Sequence, residues 1–190
     1  MKSKTIIFSV GLVVLAVAIL AIGAFLSQRP AESDAVRFNR DYQMVGTDNV
    51  FKYVTADEAA EVLKSGTDVV FFGFSACPWC QAYSYILYEV AQETGVSQIY
   101  YCDILDDRTK HTHAYEEILQ TAEEHLSLDE DGNHRVFVPA FAAVKDGVII
   151  GYNDDTSRLD SEDIAPVDYW TNGKVRELKQ KLEAMIRQTM

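Results

Sequence analysis

Hydrophobic and polar positions along this chain fall into distinct regimes. From Thr5 to Leu26 no charged residue occurs, a run of 22 positions that is apolar on every side of a helix. At a rise of 1.5 Å per residue it would reach about 33 Å, and a bilayer's hydrocarbon core is about 30 Å thick. Gln28 to about Asn49 is polar and mixed, with Pro30 near its start, and reads as a tether with little structure of its own. From Phe51 onward short apolar runs alternate with helical stripes.

The pattern predicts these elements one by one. Phe51–Val54 is a short strand. Thr55 and Glu58 fit a capping box, and Ala59, Val62 and Leu63 give a short amphipathic helix closed by Gly66. Val69-Val70-Phe71-Phe72-Gly73-Phe74 is the continuous apolar run of a strand buried on both faces. A helix follows to about Thr94, with Tyr83, Ile86, Leu87, Val90 and Ala91 on one stripe, and Gly95 ends it. Gln98–Ile104 is another strand, and Thr112 to about Leu126 is helical. Asp131-Gly132-Asn133 is a turn. Val136–Val144 is a strand interrupted by Pro139, and Asp146-Gly147 turns it tightly into Val148–Tyr152. Asn153–Thr171 is a long acidic loop, and Val175, Leu178, Leu182, Met185 and Ile186 mark a closing helix. The order β-α-β-α-β-α-β-β-α predicts an α/β fold, a mixed central sheet flanked by helices over residues 50–190. One N-terminal transmembrane helix (residues 1–27) and a tether (residues 28–49) precede it.

Charge adds orientation and excludes some partners. Lys2 and Lys4 stand before the apolar run, with Arg29 the nearest charge beyond it, so the positive-inside rule leaves the rest of the chain outside the cytoplasm. The expected location is a single-pass protein of the cell membrane, contacting the bilayer through residues 5–26, with an extracytoplasmic C-terminal domain. The run is longer than the usual apolar region of a cleaved signal, although Ala21-Ile22-Gly23 offers small residues for cleavage. Asp and Glu outnumber Lys and Arg 29 to 17, a formal net charge of −12. Such a chain repels phosphate backbones, so nucleic acid is excluded as a partner.

The cysteines are Cys77, Cys80 and Cys102. Cys77-Pro78-Trp79-Cys80 sits between a buried strand and a helix start. There the first N–H groups are unpaired and the helix dipole is positive, which stabilises a thiolate. Cys77 is then the nucleophile, and Cys80, one turn deeper, resolves the mixed disulfide. Pro78 suits the first turn, where its missing N–H is no loss. Half of a zinc site is the competing reading, but no second Cys-x-x-Cys exists and His111, His113, His125 and His134 show no tight pairing with the motif. No metal and no cofactor are expected. Cys102, mid-strand, reads as an inert buried thiol.

The stretch Phe71-Phe72-Gly73-Phe74-Ser75-Ala76-Cys77-Pro78-Trp79-Cys80, with Val138-Pro139 and the strand–hairpin–helix ending, resembles the thioredoxin superfamily. Within it the chain is similar to membrane-anchored thioredoxin-like, bacteriocin transport accessory protein-like proteins of Gram-positive bacteria. The resemblance covers about Phe51 to Met190. It implies a thioredoxin-like fold, a cis Pro139 facing the cysteines, and Val138 offering backbone hydrogen bonds to a bound peptide. Trp79, Val138 and Pro139 would then be the substrate-binding residues beside the catalytic Cys77 and Cys80. Departures are visible. Thioredoxins keep a buried acid in the strand six residues before the first cysteine, and Phe71 stands there. Gly151-Tyr152-Asn153 replaces the double glycine that helps glutaredoxins hold glutathione.

The expected activity is that of an extracytoplasmic thiol–disulfide oxidoreductase acting on protein or peptide disulfides, with an unidentified redox partner. The alternative is a non-catalytic accessory module for export or assembly of a secreted peptide. The acidic 153–171 loop would form either a rim favouring basic clients or a solvated insertion.

Overall fold

The strands that pattern predicts come together in a single mixed sheet. A computed structural model describes residues 32–156 and 164–190, and Asp34–Met190 form one unit. The strands are β1 (Phe51–Tyr53), β2 (Asp68–Gly73), β3 (Ile99–Asp103), β4 (Ser127–Leu128), β5 (His134–Arg135), β6 (Ala140–Lys145) and β7 (Val148–Asn153). The helices are α1 (Asp34–Asp41), α2 (Ala56–Ser65), α3 (Pro78–Thr94), α4 (Leu105–Lys110), α5 (His113–Ala122), α6 (Pro166–Tyr169) and α7 (Asn172–Thr189). Five strands form the sheet in the order β1-β3-β2-β6-β7, while β4 and β5 make a separate small hairpin. β3 runs parallel to β1 and β2; β6 runs antiparallel to β2 and to β7. Helices flank the sheet, α2 packing on α5 and α3 on α7.

Local chemistry accounts for most boundaries. The Thr55–Glu58 capping box is present in both directions and starts α2. Gly95, at φ 71°, closes α3 in the left-handed region. Asp146 and Gly147 both have positive φ, the backbone of a two-residue hairpin turn whose twist matches the strands it joins. A side chain at Gly147 would also collide with the Lys64 carbonyl, so the turn closes against the end of α2.

Several expectations need correction. The segment at residues 28–49, expected to be an unstructured tether, contains α1. Phe38, Tyr42 and Val45, spaced i, i+4, i+7, are all fully buried. Phe38 stacks on Phe51 at 3.9 Å between ring centroids and on Tyr42 at 4.4 Å, with Tyr101 edge-on at 5.1 Å. Three apolar side chains among Arg37, Arg40 and Asp41 were too sparse to read as a stripe, but β1 and β3 offer them an aromatic surface. The helix expected from Thr112 starts with that residue as its cap, ends at Ala122 and passes through a 3₁₀ turn at Glu123–His125; α4 precedes it. The strand expected from Val136 begins only at Ala140, because Pro139 has no N–H to give to a ladder. The acidic loop is shorter than expected, since β7 takes in Asn153 and α6 forms within it. The apolar run Thr5–Leu26, and the expected anchor with it, lies outside the described residues. Among the described residues no helix is long and apolar enough to cross a membrane.

Removing the Phe38 ring should cost about 3–5 kcal/mol, the usual range for a buried Phe→Ala change. Chemical denaturation of Phe38→Ala would show it as a lower midpoint at similar slope; an unchanged midpoint would mean that α1 adds nothing to the unit.

Candidate functional site

The central strand delivers its chain directly into the Cys-x-x-Cys segment. β2 ends at Gly73, a short turn follows, and Cys77 caps α3. The turn is closed by the Cys77 N–H donating to the Phe74 carbonyl at 3.1 Å. Pro78 takes the first helical position, and the Cys80 N–H donates to Cys77 Sγ at 3.1 Å. Sulfur here does what a Ser or Asp oxygen does at other helix starts: it satisfies an unpaired N–H at the positive end of the helix. Gln81 braces the loop, its Nε2 donating to the Ser75 carbonyl at 2.7 Å and the Asp41 carbonyl at 2.8 Å. The end of α1 is thereby tied to the cysteine turn.

Antiparallel pairing brings in the second half of the site. Ala140 pairs with Phe72, so the residues just before β6 continue past the end of β2 on the side of the motif. Those residues are Val138 and Pro139, both buried, and the bond between them is cis. Of the five residues singled out from the sequence, Cys77, Cys80, Val138 and Pro139 thus gather at one end of β2. Trp79, the fifth, is buried beside them at the start of α3. It is 2% exposed and lies edge-on to Tyr169 of α6 at 5.3 Å. Helix α6, in the second half of the acidic loop, thus packs against Trp79.

The two sulfurs differ in environment. Cys77 keeps 4% exposure and Cys80 none. Burial pushes the Cys80 thiol far up, and its hydrogen bond to Cys77 and that neighbour's charge add to the shift; the Phe74 N–H and the Arg108 cation oppose it. Cys102 belongs to neither. It stands beside Phe72 in the sheet, whereas Cys80 Sγ lies 3.4 Å from the point where a side chain at Gly73 would begin. Alternate residues of a strand face opposite sides, so Cys102 points away from the pair, and burial raises its thiol too.

Arg108 is the site residue that the sequence pattern missed. It sits on α4, half-buried, and its Nη1 donates to the Val136 carbonyl at 3.2 Å. Tyr115 Oη accepts from the Val136 N–H at 3.3 Å, so both backbone groups of Val136 are held just before Val138-Pro139. The guanidinium also lies 5.5 Å from the Phe74 ring centroid. Burial, then the charge of Arg135, pulls Arg108 down, and the charges of Tyr115, Cys80 and Cys77 pull it back. A single arginine in a short charged helix carries no sequence signal; only the fold brings it to the cysteines.

The acidic loop is partly neutralised. Asp155 accepts from Lys181 Nζ at 2.7 Å and from Asn153 Nδ2 at 2.8 Å, while Asp160, Glu162 and Asp163 lie outside the described residues. Among the described residues no group of three or more His, Cys, Asp or Glu side chains could hold a metal ion. Compared with known proteins, the chain matches no family model and no curated protein.

Two outcomes are expected from this geometry. Arg108→Met should slow iodoacetamide alkylation of the Cys77–Cys80 pair several-fold near neutral pH and move its pH profile upward, with Arg108→Lys in between, because a cation near a sulfur favours its ionised form. An unmoved profile would leave the guanidinium only its hydrogen bond and packing. The second outcome concerns alkaline stability. Burial raises Cys80, Cys102, Tyr42, Tyr83, Tyr101 and Tyr152 above their ordinary values. The folded state then holds these protons more tightly than the unfolded chain does. Their contribution is complete below the unfolded values of about 8.5 for thiols and about 10 for phenols, and is lost as pH climbs beyond them. The urea midpoint of the reduced protein should therefore fall progressively above about pH 8.5, and a flat midpoint to pH 11 would contradict it.

Proposed function

We propose that this protein is an extracytoplasmic thiol–disulfide oxidoreductase of thioredoxin-like fold, in which Cys77 and Cys80 exchange disulfides with protein or peptide clients. The observation that carries the reading is the Cys77 sulfur capping α3, with a second, deeper sulfur one turn on and the Val138-Pro139 segment at the same end of β2. The mixed five-stranded sheet flanked by helices is compatible with that fold. The charge pattern around the apolar run at residues 5–26 supports a membrane anchor with the domain outside the cytoplasm.

In the reducing direction the Cys77 thiolate attacks one sulfur of a client disulfide. The client S–S bond breaks, a Cys77–client disulfide forms, and the departing client sulfur takes a proton from water. Cys80 then gives up its proton and attacks Cys77 Sγ. The mixed disulfide breaks, Cys77 and Cys80 become joined, and the client leaves as a dithiol, two electrons richer. A dithiol partner must restore the reduced pair. The oxidising direction is the same sequence reversed, and the reduction potential decides between them.

The low exposure of Cys77 and the phenyl ring of Phe71 beneath the motif favour a second reading, a thioredoxin-fold accessory module for an exported peptide that does no exchange. Insulin reduction with dithiothreitol separates the two. Wild type should accelerate insulin precipitation, and Cys77→Ser should fall to the uncatalysed rate. Wild type at the uncatalysed rate would leave the accessory role.

A further inference from the structure

Three hydrogen-bonding groups meet on the inner side of the cysteine turn. The Tyr42 hydroxyl and Cys80 Sγ both crowd the point where a side chain at Gly73 would begin, at 3.2 and 3.4 Å, with the Phe71 ring at 3.1 Å. Any residue other than glycine there would push one of them aside. The Tyr42 hydroxyl donates to Tyr101 Oη at 2.9 Å. Tyr42 and Cys80 have no exposed surface, and Tyr101 has 1%.

The placement needs a reason. Tyr42 stacks on Phe38 and leans on Phe71, contacts a phenylalanine would make equally well. A buried hydroxyl is unfavourable unless it is hydrogen-bonded. Two phenols carry two O–H protons, and the bond between them uses one. The sulfur of Cys80 is the polar atom that shares the space over Gly73 with the Tyr42 hydroxyl. Negative charge on Cys80 also pushes both phenols up, so all three groups feel one another. Burial keeps the phenols protonated, which makes them donors and not bases. Tyr53 on β1, Cys77 and Tyr83 on α3, Arg108 on α4 and Asp103 at the end of β3 are the other titrating groups around this cluster.

We propose that Tyr42 is a positioning residue for Cys80: its hydroxyl turns from Tyr101 to the sulfur as Cys80 ionises, and Tyr101 then donates to Tyr42. The inference deepens the exchange reading and rests on it. In the resolving step the Cys80 proton passes, through water, to the client sulfur that departs, and the Cys77–client bond is replaced by Cys77–Cys80. Both phenols keep their protons throughout. They supply dipoles in a water-poor site, where an oriented donor is worth more than in bulk water. The segment first read as a tether thus contributes a group to the chemistry at the sulfurs.

The test is a two-phase reaction of the reduced full chain with 5,5′-dithiobis(2-nitrobenzoate), followed by stopped-flow absorbance from pH 5 to 9. Attack by Cys77 releases the first thionitrobenzoate, and attack by Cys80 on the resulting mixed disulfide releases the second. Tyr42→Phe should leave the first phase unchanged, slow the second roughly tenfold below its pH midpoint, and raise that midpoint by about one unit, the range for a hydrogen bond to a charged group. Tyr101→Phe should shift it the same way by less. Because both substitutions keep the ring, an intact first phase certifies the fold in the same experiment; should Tyr42→Phe lose it, Tyr101→Phe decides alone. A second phase and midpoint equal to wild type in the folded variants would overturn this inference while leaving the exchange reading standing. A wild type with no second phase would overturn both.

Discussion

A sulfur capping a helix organises this molecule. The central strand β2, buried on both faces, ends where α3 begins, and the first free N–H groups of α3 must find acceptors. Cys77 Sγ supplies one to the Cys80 N–H. The same geometry that closes the helix puts a polarisable, ionisable atom at the positive end of a dipole. The end of β2 is also where parallel β3 and antiparallel β6 flank the same strand, so segments far apart in the chain must converge beside Cys77.

What converges is chemically uneven. On one side the Val136–Pro139 segment is held by Arg108 and Tyr115, each bonding one backbone group of Val136. On the other, the chain before β1 folds back and inserts Phe38 and Tyr42 into an aromatic cluster with Phe51, Phe71 and Tyr101. Ring stacking accounts for most of that insertion, each well-placed pair being worth about 0.5–1.5 kcal/mol beyond area burial. It does not account for the hydroxyls, which sit in the core against the general cost of burying polar groups. The Tyr42 hydroxyl thus shares the space over Gly73 with Cys80 Sγ, and Arg108 holds the segment that leads to Pro139.

Legibility followed the range of the interactions. The Thr55–Glu58 capping box, the Gly95 stop, the Asp146-Gly147 turn and the apolar run of β2 are written in a few adjacent residues, and each forms as read. α1 was missed because its apolar side chains are few and embedded among charges; their partners are more than ten residues away in β1 and β3. The burial of Trp79 is not legible in the sequence, because nothing local shows that α6 returns to cover it. Strand β6 starts at Ala140 because the proline before it cannot donate to the ladder, a boundary readable from Pro139 itself.

By itself, the sequence determined the alternation of strands and helices and the Cys77-Pro78-Trp79-Cys80 turn between a buried strand and a helix start. Those depend on steric preference, periodicity and capping, which act over a few residues and survive in isolation. Tertiary structure alone decided that Arg108 holds the Val136 backbone beside the site, that Cys102 lies on the opposite side of the sheet, and that the Tyr42 hydroxyl and the Cys80 sulfur share the space over Gly73. Those depend on which strands become neighbours and in what register, and the pairing energy that selects them is shared among residues from Phe38 to Ile186.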